Sequence, residues 1–452
     1  MHRTKIWILV SSFCLGFSCT DQEDEGDNLR AGGATTVFVE NSNSFQFPAP
    51  NLSPSELELH RLGDQAFEGI FVTAPAIVNG GLGPVFNQAS CASCHPKNGR
   101  SGFSENPNDL AGLLFRLSIA GQGPHGEPLP VPGFGGQLQT KSIVGKQAES
   151  QISYDFKITQ EFFPDGEIYE LRQAIFRMTN TYMPIPTATL SSARLAPPVF
   201  GLGLLEFVPE AVILKNEDIQ DVNTDGISGK ANWVWDFTES RVRLGRFGWK
   251  AGQPDLIQQA AAAYNEDMGV TNPLFRLESS TGQIQDDTLS DDPEIDQELL
   301  EQTAFYTRSL AVPASRNQSD PTIQNGKRLF IKIGCEKCHL SNLKTGSSPF
   351  QFLANQSIQP YTDLLLHDMG DGLSDGRSDF NATGNEWRTP PLWGIGLTLL
   401  VNGHTHFLHD GRARNLQEAI LWHGGEAIKS RDAYKNLQKS ERNAILKFIS
   451  SL

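Results

Sequence analysis

The chain has 452 residues and a net charge of −15, from 37 Lys and Arg against 52 Asp and Glu, and 38% of it is hydrophobic. That length suffices for two or three domains, and the acidic balance argues against nucleic acid, whose phosphates must be neutralised by basic side chains. Of only six cysteines, four stand in two Cys-x-x-Cys-His pentapeptides, which leaves none past residue 19 for a disulfide.

Arg3 and Lys5, an apolar run from Ile6 to Phe17 and then Ser18-Cys19 read as an export signal over 1–18, too short to span a bilayer. The Gly16-Phe17-Ser18-Cys19 ending is similar to a bacterial lipoprotein box, in which Cys19 becomes the lipidated first residue of the mature chain. An ordinary cleaved signal with an incidental cysteine is the plainer alternative. Residues 19–45 are acidic (Asp21, Glu23, Asp24, Glu25, Asp27) and then rich in Gly, Ser and Asn, which suits a solvated tether. Thr20 resembles an outer-membrane sorting position. The expectation is an exported outer-membrane lipoprotein facing the periplasm or the cell surface. Loss of Arg3 and Lys5 takes the charge from −15 to −17, which serves solubility or attracts a basic redox donor.

An N-terminal domain is expected over 46–312. It carries Cys91-Ala-Ser-Cys94-His95, a motif that specifies two thioether bonds to a haem and a histidine for its iron. A zinc knuckle is the alternative, but a histidine directly after the second cysteine is poorly placed for tetrahedral closure. Between about 108 and 190, alternation such as Ile152, Tyr154, Phe156, Ile158 and a Pro164-Asp-Gly166 turn predict an antiparallel β insertion. Asp221, Asn223, Asp225 and Gly226 match the first half of a calcium loop, although position twelve is Asn232; an Asx-rich turn is the equal alternative. An acidic stretch over 278–296 and a helical run from Leu299 to Leu310 lead to a boundary near 312.

The C-terminal domain, 313–452, carries Cys335-Glu-Lys-Cys338-His339. Asn415 opens a helix with Glu418 three residues on, and Leu416, Ala419, Ile420 and His423 share one face. His423 is thereby the candidate second ligand opposite His339, with His404 and His406 as competitors. An apolar stripe of Ile445, Phe448, Ile449 and Leu452 predicts a packed terminal helix over 440–452.

The two halves repeat. Gly63…Phe67 precedes the first haem motif as Gly326…Phe330 precedes the second. Arg194-Leu-Ala-Pro-Pro-Val-Phe-Gly-Leu-Gly-Leu204 is echoed one residue shorter by Arg388-Thr-Pro-Pro-Leu-Trp-Gly-Ile-Gly-Leu397, and Trp249…Leu256 aligns with His409…Leu416. The expected fold is mainly α: two cytochrome c-like haem domains in tandem, with the antiparallel β insertion in the first.

These motifs, with Gly245-Arg-Phe-Gly-Trp-Lys-Ala251 and His409-Asp-Gly411, resemble the bacterial dihaem cytochrome c peroxidase superfamily over nearly the whole mature chain. The closer likeness is to its dihaem oxidoreductase branch, sometimes labelled thiol oxidoreductases. The resemblance implies two covalently attached c-type haems and a calcium ion between the domains. It also implies peroxide as oxidant and a small cytochrome or similar redox donor. His423 stands where the peroxidases carry a methionine ligand, and two imidazoles give a lower potential than His/Met. By the same resemblance Trp249 lies between the haems, Gln259 holds the peroxide, and Asp267, with Glu266 beside it, shuttles a proton between the peroxide oxygens. The acid is aspartate instead of glutamate and arrives two residues early. His367-Asp-Met-Gly370 resembles a segment packed beside the second haem. Every mature cysteine is assigned to haem or lipid, so thiol oxidation could proceed only through the haems. A peroxidase-type oxidoreductase with its reactive iron at His95 is the leading reading. A non-enzymatic electron-transfer or redox-sensing lipoprotein is the second, and a protein-modifying oxidase the third.

Overall fold

The computed structural model describes residues 29–104, 110–289 and 292–452; the expected export signal, Cys19 and the acids Asp21 to Asp27 lie outside them. The helices that frame the two halves are α1 (Pro54–Glu68), α2 (Leu256–Met268), α3 (Gln297–Ser309), α4 (Pro321–Lys332), α5 (Leu416–Trp422) and α6 (Lys439–Ser450). The main strands are β1 (Thr36–Val37), β2 (Leu113–Gln122), β3 (Gln151–Phe162), β4 (Ile168–Thr179), β5 (Leu190–Leu195) and β6 (Val312–Pro313). Among the described residues no helix is long and apolar enough to cross a membrane.

The mainly α expectation is wrong: 28% of the chain is helical and 20% is strand, the strands falling in many small sheets. Strong helical periodicity at the segment ends concealed how much chain between them wraps the sites as loops and two-residue strands. The tether expectation also stops short, because residues from Ala31 onward join the folded body. β1 runs parallel to β6, and Phe45, 1% exposed, stacks on Phe200 at 4.2 Å.

Each half is built on a crossed helix pair, and glycine sets the approach. α1 starts with a capping box between Ser53 and Glu56 and packs on α3, where a Cβ on Gly63 would lie 2.2 Å from the Gln302 carbonyl oxygen. α4 packs on α6 in the same way, with a Cβ on Gly326 reaching 2.0 Å from the Ala444 oxygen. The repeat continues at Gly203 and Gly396, which press on the backbone of Arg308 in α3 and Ser450 in α6. Only a residue without a side chain fits at these four points.

The halves do not sit in tandem as separate bodies; they exchange segments. Leu195 N–H donates to the His409 carbonyl at 2.6 Å, and the corresponding Arg388 N–H donates to the Trp249 carbonyl at 2.9 Å. Across the same junction a Cβ on Gly201 would meet Trp393, and one on Gly394 would meet Phe200. Phe200, Leu204 and Phe305 of the first half share one core with Leu353, Trp393 and Leu397 of the second.

The β insertion is an arm. β3 and β4 form a twelve-pair hairpin from Gln151↔Thr179 to Phe162↔Ile168, around the expected turn. Its end buries Phe163 and Tyr169 in the second half's core beside Phe330, Tyr434 and Phe448. There the Arg442 guanidinium lies 3.9 Å from the Phe163 ring and bonds Asp165 and Glu167 at 2.7 Å each. Arg172 of β4 donates to the carbonyls of Gly411 and Arg412.

Candidate functional site

Both pentapeptides fold as one tight turn. His95 N–H donates to the Cys91 carbonyl at 2.9 Å and His339 N–H to the Cys335 carbonyl at 3.0 Å, which brings each cysteine pair and its histidine to one side. The His95 ring lies 6.2 Å from Phe67 and the His339 ring 6.3 Å from Phe330, the phenylalanines that the repeat aligns. His95 Nδ1–H donates to the Pro197 carbonyl at 2.7 Å, and His339 Nδ1–H to the Tyr361 carbonyl at 2.9 Å. A carbonyl partner fixes the tautomer and leaves Nε2 free to ligate. Burial pulls both imidazoles down to about 4, so the rings are neutral.

The donor set fits haem better than zinc. Burial pushes the thiols of Cys91 and Cys335 up to about 12, against the thiolates zinc requires. Among the described residues Cys338 gathers with Asp363 and His367 in a group that could hold a metal ion, but Cys335 does not join it and neither Cys91 nor Cys94 belongs to such a group, so neither cysteine pair as a whole closes a tetrahedral site.

His423, half-buried, caps the end of α5 with its Nδ1–H on the Ala419 carbonyl at 2.7 Å. It is near enough to His339 to help depress that residue's pKa. Each ring has its Nδ1 committed to a backbone carbonyl, which leaves its Nε2 without that bond. His404 and His406 stack on one another at 4.9 Å and lie against Gly102 and Phe103 of the first half. Beside Cys338, His367 bonds Asp363 at 2.8 Å and Glu426 at 2.7 Å, and against the lowering by burial the Asp363 carboxylate and the Cys338 sulfur raise its pKa well above the usual value.

The first half has no histidine at the corresponding place. The antiparallel bridges Phe247↔Gln253 and Phe407↔Ala413 fix the register between α2 and α5, and Asp255 and Asn415 cap the two helices alike. That register sets Ala263 opposite His423. Gln259, Ala263 and Asp267 follow at four-residue steps, so they share one face of α2, and all three are half-buried.

Asp267 lies close to the Cys91 thiol and raises its pKa. Burial raises the Asp267 pKa in turn, opposed by the Arg116 guanidinium and by Gln137, whose Nε2 donates to Asp267 Oδ1 at 2.7 Å. Glu266 is ion-paired to Arg116. Trp249 is 7% exposed, donates through Nε1 to the Leu195 carbonyl, and stands edge-on to His409 at 6.5 Å. His409 stacks on Trp387 at 3.7 Å and 11°, with Lys250 Nζ over the other ring at 4.5 Å. Sequence reasoning missed Arg116 and Gln137, which reach Glu266 and Asp267 across more than a hundred residues of chain, and Trp387, which meets His409 from a separate segment.

The calcium loop is used otherwise. Asp221 accepts from Gly226 N–H and Asn223 from Asp225 N–H, Lys337 bonds the Asp225 carboxylate at 3.0 Å, and Lys429 bonds its carbonyl at 2.7 Å. The Lys337 ammonium holds one of the oxygens a calcium ion would need and loop N–H groups donate to others, which is the geometry of the Asx-turn alternative.

A repeat with two Cys-x-x-Cys-His turns, one with a further histidine near it and one with a half-buried carboxyl near its first cysteine, has the donors for two haem centres. Residues 26–452 match the model of the family described as di-haem oxidoreductase, putative peroxidase, and the chain belongs to that family. No curated protein matches it. No solved structure does either.

Proposed function

We propose that this protein is an exported c-type dihaem oxidoreductase that reduces a small peroxide at the His95 centre with electrons relayed by the His339/His423 centre. Cys91 and Cys94 hold the first haem covalently, Cys335 and Cys338 the second, and lipidated Cys19 anchors the chain to the outer membrane. When bound, the two haems supply the two electrons that reduction of the O–O bond takes and an iron at which the peroxide is held.

The observation that carries this reading is Ala263. By the register of the repeat a methyl group stands where the second half places His423, and we take the position opposite His95 to be open to a small molecule on that ground. Gln259, one turn before Ala263, hydrogen-bonds the peroxide. Asp267, one turn after it, takes the proton of the near oxygen and returns it to the far one, so that water leaves. Asp267 suits both roles because burial raises its pKa while Arg116 and Gln137 restrain the rise. Trp249 and the stacked His409 and Trp387 fill the junction through which electrons pass.

The donor is a small one-electron carrier that meets the second half. There the charge differs from the whole: from residue 313 onward 16 Lys and Arg face 13 Asp and Glu, whereas the first 312 residues hold 21 against 39. The overall acidity therefore does not select a basic donor at this half.

Optical and EPR spectra of the oxidised and half-reduced protein test the reading. A high-spin signal is expected from the first centre, and Ala263→His should convert it to low spin. Two low-spin centres in every redox state, with no peroxide consumed by the reduced protein, would leave the electron-transfer reading in its place.

A further inference from the structure

Glu266 and Asp267 occupy the last turn of α2, ahead of Gly269, which closes the helix in the left-handed region at φ 68°. A helix C-terminus is the unfavourable end for a carboxylate, since the last carbonyls point their negative ends at it. Burial adds to that penalty. A carboxyl kept in such a place needs partners that hold it in one direction, and α2 supplies none.

The partners come from the β insertion. Gln137, 3% exposed, sends its single Nε2 to two acceptors, the Glu266 carbonyl at 2.8 Å and Asp267 Oδ1 at 2.7 Å. Gln139 donates to the same Glu266 carbonyl at 2.7 Å. Gln139 is fixed in turn by Asn87 Nδ2 on its Oε1 at 2.8 Å and by its own N–H on Glu149 Oε2 at 2.7 Å. Asn87 is four residues before Cys91, and the Asp267 carbonyl accepts from the N–H groups of Asn87 and Gln88. One network thus joins the insertion, the haem motif and the end of α2. Gln137 also keeps its Oε1 buried without a hydrogen-bond partner. A glutamine retained only for packing would satisfy both poles or be replaced by an apolar residue of the same shape.

We infer that Gln137 is the positioning residue of the His95 centre: it aims the Asp267 carboxyl at the ligand position. This rests on the reading of Asp267 as the pocket acid. Gln137 touches the acid, not the iron, so it acts through Asp267. Arg116 from β2, Glu266 from α2 and Cys91 from the haem turn are the other titratable groups facing Asp267. None of them replaces the Nε2 donor.

Fluoride binding by the oxidised holoprotein is the test, because fluoride enters a ferric haem pocket together with a proton on a nearby acid and needs no turnover. Its affinity, followed optically from pH 4 to 8, falls as that acid ionises. In Gln137→Met the acid loses a donor that favours its ionised form, so the midpoint of the fall should move to higher pH. Gln139→Leu, which loses its bonds to the Glu266 carbonyl and from Asn87 Nδ2 but touches no oxygen of the Asp267 carboxyl, should leave it in place. If Gln137→Met does not load both haems, Gln137→Asn, too short to reach Asp267, gives the same reading. A Gln137 profile that superimposes on the wild type, while Asp267→Asn abolishes the pH dependence, overturns the positioning role and leaves the pocket acid standing. An unchanged profile in Asp267→Asn, or no fluoride binding by the wild type, overturns the pocket acid and the positioning role together.

Discussion

The helices α2 and α5 occupy equivalent places in the two halves and do opposite things. α5 ends at Trp422, and the residue that caps it, His423, lies near enough to His339 to act on its charge. α2 runs on from Ala263 to Met268, which places an acid pair one turn beyond the position where α5 stops. Ending a helix places a histidine near His339; extending it past an alanine places a carboxyl near Cys91. The divergence between the halves thus needs one changed side chain and about one added turn, on a scaffold that Gly63, Gly326, Gly203 and Gly396 keep the same.

The largest effect expected is in the half that stays open. Asp267→Asn keeps the shape and the hydrogen bond from Gln137 but cannot carry the proton, so kcat/KM for peroxide should fall by about 10²–10⁴-fold, the range of a general acid–base group. Stopped-flow reduction of peroxide by the half-reduced protein measures it. A change under tenfold would remove the functional contrast between α2 and α5.

Next comes the arm. Phe163 belongs by sequence to the first half and by packing to the second, where it is 2% exposed under Arg442. Phe163→Ala should cost about 3–5 kcal/mol, as for other buried phenylalanines. Urea unfolding gives the value, and limited proteolysis should show new cleavage between 151 and 179. A stable variant with a protected arm would mean that the hairpin rests on the second half without being held by it.

Much of this layout was legible beforehand, for local reasons. A haem turn needs cysteines and histidine at fixed spacing, and a close helix crossing needs glycine, so the pentapeptides and Gly63/Gly326 stand out in any reading. The hairpin was visible through its period-two alternation and its Pro-Asp-Gly turn, and the terminal helix through its apolar stripe. What stayed hidden was long-range. Nothing in β3 or β4 says that their tip enters another half's core, and nothing near Gln137 announces Asp267, 130 residues away. The mainly α expectation failed for a related reason: loops that close around a bulky group are held by that group and by scattered backbone bonds, which leave no period in the sequence.

The glycines offer a finer comparison. Gly63→Ala and Gly326→Ala each place a methyl within 2.2 Å and 2.0 Å of a backbone oxygen, so both helix pairs must part slightly. A loss of about 1–3 kcal/mol is expected from each, typical of overpacking. Calorimetry should find the two losses equal within about 1 kcal/mol if the halves are mechanically alike. A much larger loss at Gly326 would show that the second half, with the arm seated in it, has less freedom to adjust.

The smallest effect concerns the seam between the halves at Asp225. Lys337, inside the second haem motif, reaches the Asp225 carboxylate, while Lys429 holds the same residue's carbonyl. The Lys337 and Asp225 side chains are 44% and 28% exposed, so solvent screens their attraction. Asp225→Asn should therefore cost no more than about 1 kcal/mol, and less as salt is raised. A loop that held calcium would behave otherwise: chelator would lower the melting temperature and added calcium would raise it, by linkage of folding to binding. With Lys337 and Lys429 already at Asp225, neither shift is expected. A rise in melting temperature with millimolar calcium that Asp225→Asn removes would show that the lysines yield to the ion, and the seam would then be a metal site instead of an ion-paired turn.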